Sequence, residues 1–406
     1  MTTKKILEED ENDATNREND ILNNLKNIYI SSASLCTPSK TAEPEPKEAN
    51  LTILHKYESI FNFGDSLSDT GNFLRSTGGH APTSPYGKTF FGHPTGRYSD
   101  GRLVIDFIVV NIYYVHENAA EAVGLPSLKP YLEVVNGSID ARRGVNFAVA
   151  GAKALDPKFF AARGIPALTM TNHSLSVQLD WFKKLKSSLC TTKQDCDTYF
   201  KKSLFLVGEI GGNDYNLAFA LGATFEQLRP IVPNVVGAIT NATSMLIEEG
   251  AVELVVPGIL PIGCSPSFIT TAPPFIKDDA NTTTGCLNRY NEFARYHNDY
   301  LQRELQLLRQ KYSHARIIYA DYYGDALRLF ESPVQYGFSK STLVACCGAG
   351  GPFNFNVRMM CGSTSNVCKD PSASILWDGV HFTEAAYRHM AKGLLEGPFT
   401  SPRFVA

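Results

Sequence analysis

Three short constellations in this 406-residue chain put reactive side chains next to glycines. Gly64-Asp65-Ser66-Leu67 offers a serine hydroxyl on a turn whose backbone N–H groups can face outward and hold a developing oxyanion. Gly211-Gly212-Asn213-Asp214 offers an amide N–H₂, a neutral donor suited to the same task, on a turn where glycine allows close backbone approach. Asp378-Gly379-Val380-His381 sets an Asp three residues ahead of a His. At that offset the carboxylate can accept the Nδ1–H, fix the tautomer and stabilise the imidazolium. Of the nine histidines, His381 alone has Asp at that offset. A fourth segment, Asn146 to Ala152, holds Gly151 between small residues, and its N–H could be a second backbone donor. Each segment alone has a plainer reading, as a helix cap, a glycine-rich turn or a structural loop pair. Together they could supply a nucleophile, a base with its orienting acid, and oxyanion donors, the groups that nucleophilic acyl chemistry needs.

Such groups must be held by rigid elements. Short, β-branched-rich runs at Ser59–Phe63, Leu204–Val207, Val252–Val256 and Ala315–Ala320 read as buried parallel strands. Helical patterns lie between them at Phe225–Glu249 and Asn288–Tyr312. A last one, Glu384–Leu395, has Thr383 as its cap and Gly397 at its end. Strand–helix alternation implies an α/β fold with a central parallel sheet. In such sheets sites form at the carboxyl ends of strands, and the Ser66 and Asn213 turns each follow a predicted strand.

The same run of motifs resembles the GDSL esterase/lipase family of the SGNH hydrolase superfamily, and more closely its secreted plant branch. The residues that carry the resemblance are Phe63 to Asn72, Pro94 to Arg102, Gly208 to Tyr215, Cys346-Cys347-Gly348 and Trp377 to Thr383, across residues 57–400. The resemblance implies a three-layer α/β/α flavodoxin-like fold and hydrolysis of carboxylic esters through an acyl-enzyme. It implies Ser66 as nucleophile, His381 as general base and Asp378 as the residue that orients it. The oxyanion hole would be the Ser66 N–H, the Gly151 N–H and the Asn213 side chain. No metal or organic cofactor is required. An acyltransferase using the same residues, and a non-catalytic binding protein on the same fold, are the alternative readings.

Composition narrows the rest. The chain is 43% apolar and 19% charged, with a net charge of −3, so neither nucleic acid nor an anionic membrane is an expected partner. The most apolar region, Val252–Ile276, carries Glu253 and is broken by five prolines, so no transmembrane helix is expected. The expected partner is a small-molecule ester, bound by a monomer.

Residues 1–50 hold ten acids and six bases, and the remainder is close to neutral. The segment 1–56 therefore reads as an acidic, disordered tail without the character of a signal peptide. Eight of the nine cysteines lie beyond it, which suggests disulfides and an oxidising compartment, with Cys190 and Cys196 the best local pair. Sequons at Asn50, Asn136, Asn172, Asn241 and Asn281 are compatible with secretion and glycosylation. Residues 109–119 read as an 11-residue insertion relative to similar proteins. A helix could absorb it nearly in phase, its β-branched and aromatic residues favour a strand, and a bulged loop fits as well.

Overall fold

Four of the strands sit where the apolar runs placed them. The computed structural model describes residues 57–78, 82–113, 127–137 and 139–404. The segment 1–56 and the insertion beyond Tyr113 lie outside the described residues. The main sheet contains β1 (Ser59–Asn62), β2 (Gly144–Asn146), β3 (Ser203–Leu206), β4 (Glu253–Pro257), β5 (Arg316–Ala320) and β6 (Thr400–Ser401). Its order is β2-β1-β3-β4-β5-β6. The first five strands are parallel and β6 is antiparallel. The parallel part has the 2-1-3-4-5 order of flavodoxin-like sheets, whose topological switch lies between β1 and β3.

Every interior strand is buried on both faces, and alternate residues serve opposite layers. Phe61, Phe205, Leu254 and Ile317 pack with helices α2 (Leu175–Leu189), α4 (Val232–Glu248) and α5 (Asn288–Lys311). Ile60, Leu204, Val255 and Ile318 point the other way, toward α1 (Val104–Tyr113), α6 (Tyr322–Glu331) and α7 (Glu384–Leu395). The result is a helix–sheet–helix sandwich. One short helix, α3 (Gly212–Phe219), starts directly at the Asn213 turn.

One element differs from the sequence reading. The expected single helix over Phe225–Glu249 is a short turn at Phe225–Leu228, a 3-10 turn at Arg229–Ile231, and then α4. Pro230 and Pro233 lack the N–H groups a continuous helix would use, so the chain restarts there. The stretch Phe225–Glu248 is long and apolar enough, by length and composition, to cross a membrane. Its apolar stripe of Val232, Val235, Val236, Ile239 and Leu246 instead lies buried in the core of this sandwich. Of the three readings left open for residues 109–119, the helical one holds for the first part, since Val109 to Tyr113 are the end of α1.

The eight body cysteines pair as Cys190–Cys196, Cys264–Cys286, Cys346–Cys368 and Cys347–Cys361. The segment Pro94–Arg102 turns out to be an anchor. Arg97 makes a two-pronged ion pair with Asp106 of α1, at 2.7 and 2.8 Å. Asp100 accepts the Glu384 N–H at the start of α7, and Arg102 pairs with the Glu384 carboxylate at 2.8 Å. This segment therefore fixes the helix that immediately follows His381.

Candidate active site

The site gathers at the carboxyl ends of β1, β2 and β3. Ser66 lies in the turn after β1, where the Gly64 peptide is held on both sides by buried Gln178 of α2, at 2.9 and 2.8 Å. The turn can close only because β1 and β3 end almost in contact. Gly208 has φ +75°, and a Cβ there would fall 1.6 Å from the Phe63 carbonyl oxygen.

Asp378 and His381 come from the opposite rim. Ile375–Trp377 and His381–Thr383 run antiparallel, with Trp377 N–H donating to His381 O at 2.7 Å, so Asp378-Gly379-Val380 form the tip of a hairpin. The hairpin brings the His381 Nε2 to 2.8 Å from the Ser66 Oγ. Its Nδ1 lies 2.7 Å from the Asp378 Oδ2. The other carboxylate oxygen accepts the backbone N–H groups of Val380 and His381, at 3.0 and 2.8 Å. Burial would raise the Asp378 carboxyl, but the adjacent His381 and the hydrogen bonds from His381 and Tyr86 outweigh it and hold the pKa at about 2. Asp378 is thus an anion at neutral pH.

Sequence reasoning missed the groups around this pair. Tyr86 is buried and donates its hydroxyl to the Asp378 Oδ2 at 2.7 Å. Its ring meets Trp377 edge-on at 5.8 Å. Tyr98 lies against the imidazole of His381, ring centres 4.8 Å apart. No local signal marks Tyr86, because its partner lies 292 residues away.

Gly151 and Asn213 are brought together with the Ser66 turn. Gly151 adopts φ +75°, and a Cβ would come 2.6 Å from that of Met170, so only glycine suits the position. Among the described residues neither the Ser66 N–H nor the Gly151 N–H has an acceptor in the protein. The Asn213 Nδ2 donates to the Asp65 Oδ2 at 2.7 Å and to the Ala152 carbonyl at 3.1 Å. One amide therefore bridges the β1 turn and the Gly151 loop.

Two buried carboxylates fix that loop at its ends. Asp69 accepts the Ala150 N–H at 2.8 Å together with the N–H groups of Gly71, Asn72 and Phe73. Asp214 accepts the N–H groups of Ala154 and Leu155, at 2.8 and 3.0 Å. Burial pushes the Asp214 carboxyl up to about 7 against the pull of those donors. The cleft in front of Ser66, Asn213 and His381 has apolar walls that include Ile262, Phe268 and Val380. Gly151 does not line that cleft. Among the described residues, no three His, Cys, Asp or Glu side chains converge to hold a metal ion.

A serine, an imidazole and a carboxylate hydrogen-bonded in series on an α/β/α sandwich define the serine hydrolase class. The family model described as GDSL-like Lipase/Acylhydrolase matches residues 60–394. A GDSL esterase/lipase from Arabidopsis thaliana is 52% identical over 359 residues, covering 86% of this chain and 93% of the relative. A second one from the same plant is 46% identical over 358 residues, with 87% and 85% covered. A sinapine esterase from Brassica napus is 44% identical over 355 residues, with 86% and 88% covered. The chain belongs to the GDSL lipase/acylhydrolase family, and it is a serine hydrolase of carboxylic esters.

Proposed function

We propose that Ser66, His381 and Asp378 carry out the ester hydrolysis, with the Ser66 N–H, Gly151 N–H and Asn213 Nδ2 as the oxyanion hole. The observation that carries the reading is the unbroken series from Ser66 Oγ through the imidazole to Asp378, with contacts of 2.8 and 2.7 Å. His381 Nε2 takes the Ser66 proton as Oγ bonds to the carbonyl carbon, and the carbonyl electron pair moves onto oxygen. Two unpartnered backbone N–H groups and the Asn213 amide receive that charge. Both Asn213 amide hydrogens are engaged at rest, and the 3.1 Å contact to Ala152 is the longer one, which the oxyanion replaces. As the tetrahedral centre collapses, the alcohol oxygen leaves with the proton from His381. Water then gives a proton to His381 as it attacks the acyl carbon, and His381 returns that proton to the Ser66 Oγ as the acid leaves.

Each oxyanion donor is worth roughly 10²- to 10³-fold in kcat. The test is hydrolysis of a chromogenic short-chain ester by Ser66→Ala. The variant should fold normally and lose at least ~10⁴-fold in kcat. Wild-type turnover in that variant refutes the assignment.

We further infer a secreted, glycosylated monomer with its hydrolase domain over 57–400. Four disulfides favour an oxidising compartment. The sequon residues Asn136, Asn172, Asn241 and Asn281 are all exposed. Gel filtration and a glycosidase mobility shift of the plant-expressed protein check these points.

A further inference from the structure

The cleft that holds Ser66 also holds two acidic side chains that the hydrolytic cycle does not use. Asp65 and Glu209 are 3% and 5% exposed. One belongs to the β1 turn and the other to the loop between β3 and α3. Their carboxyl groups are hydrogen-bonded to each other. Two buried carboxyl groups in hydrogen-bond contact cannot both be ionised, so the contact holds a proton.

The surrounding donors say which side keeps it. Asp65 accepts the Leu67 N–H at 3.0 Å and the Asn213 Nδ2 at 2.7 Å, both of which favour an anion. Glu209 receives one backbone N–H, from Gly212, and faces the charges of Asp65 and Asp214. Burial, and then those two neighbours, push the Glu209 carboxyl well above its ordinary range. The proton therefore rests on Glu209, which donates to the Asp65 carboxylate. The other titratable groups facing the pair are His381 from the hairpin, Asp69 from the β1 turn, Tyr322 of α6 and Tyr387 of α7. Of these, only His381 can bring positive charge.

We propose that Asp65 and Glu209 form a proton-sharing positioning pair for the oxyanion hole. Asp65 is an acceptor only, so the Asn213 amide must turn its N–H₂ toward Ser66. Glu209 supplies the single proton that keeps Asp65 in place and limits the pair to one negative charge. A second negative charge there would oppose the oxyanion that Asn213 has to stabilise. This inference rests on the assignment of Asn213 above.

The experiment compares wild type, Glu209→Ala, Glu209→Gln and Asp65→Asn on the same chromogenic ester. Thermal melts establish folding, and a fluorophosphonate reports whether Ser66 still reacts. Glu209→Ala and Asp65→Asn should fold, keep KM and lose roughly tenfold to 10²-fold in kcat, as expected for a misaimed oxyanion donor. Glu209→Gln presents an N–H that does not titrate. It should restore most of the loss seen in Glu209→Ala, and it should remove the fall of kcat on the alkaline side that ionisation of the pair causes in wild type.

Folded variants with unchanged kcat, or a Glu209→Gln profile that superimposes on wild type, overturn the pair. If Glu209→Ala does not fold, the profile of Glu209→Gln decides alone. A wild-type protein inert to both ester and fluorophosphonate would instead sink the functional reading itself, so the two failures are told apart.

Discussion

The two sides of the site are built in different ways. The nucleophile side is a set of strand-end turns, closed by buried hydrogen bonds from α2, α3 and the turns beside them. Gln178 grips the Gly64 peptide, Asp69 and Asp214 clamp the Gly151 loop, and Asn213 ties the loop to Asp65. The base side is a hairpin tip that has no place in the sheet. It is held from behind by Cys346 and Cys347, whose N–H groups donate to Leu376 and Trp377 at 2.9 and 2.6 Å. Two disulfides fix those cysteines, and Phe355 fills the space over Gly379, where a Cβ would come 2.5 Å from its ring. The nucleophile side therefore draws rigidity from the sheet. The base side draws it from cross-links and rings, because a loop carries few backbone hydrogen bonds of its own.

This contrast can be broken from either side. On the base side, His381→Ala should cost the most, roughly 10⁴-fold or more in kcat, because among the described residues no other imidazole is hydrogen-bonded to Ser66. Steady-state kinetics on a short-chain ester check it. On the nucleophile side, Asn213→Ala should cost about 10² to 10³ in kcat with little change in KM. A KM effect alone would mean that Asn213 binds substrate and not the transition state.

Thiol reduction should act unequally. With Cys346–Cys368 and Cys347–Cys361 opened, kcat should fall about tenfold before the sheet unfolds, since a disulfide is worth ~2–4 kcal/mol and these two support the hairpin. Activity and circular dichroism followed together across a reductant series separate the two events. Simultaneous loss would remove the distinction between the two sides.

Tyr86→Phe should have a smaller effect, a few-fold in kcat, on the scale of one hydrogen bond to a charged group. Losing that donor leaves more negative charge on Asp378 facing the imidazolium. The acid limb of the pH–rate profile should therefore move to higher pH, and an unmoved limb would make Tyr86 mere packing.

A last effect concerns stability in acid. Asp378 falls from an ordinary 3.8 to about 2 on folding. A depressed carboxyl stabilises the fold above its unfolded pKa, and that contribution is lost as pH falls through the folded value. Wild type should lose stability between about pH 4 and pH 2 by roughly 2 kcal/mol more than Asp378→Asn. Urea melts across that range measure the difference.

Legibility followed the same division. Ser66, Asn213 and the Asp378–His381 pair stand in local motifs at strand ends or before a capped helix, so residue types and spacing were enough to mark them. Gly151 could be named from the residues as a possible donor, but its role came from the family resemblance. Its strand, β2, is three residues long, too short for any alternating pattern, and it lies at the sheet edge. The same limit hid β6, a two-residue strand. Pro230 and Pro233 were visible in the sequence, and giving them weight would have restored the break before α4. Glu209 stood inside a quoted motif, yet its role needs Asp65, brought close only by the pairing of β1 with β3. Tyr86 and Gln178 act across 292 and 114 residues, and such partners are chosen by the finished fold.

The central claim is that one serine is made nucleophilic by the series Ser66–His381–Asp378. Fluorophosphonate labelling of the folded protein, followed by peptide mass mapping, tests it most directly. The account expects a single adduct on the Ser66 peptide, slowed strongly by His381→Ala and absent in Ser66→Ala. An adduct on any other residue, or labelling of Ser66 at the same rate without His381, would contradict it.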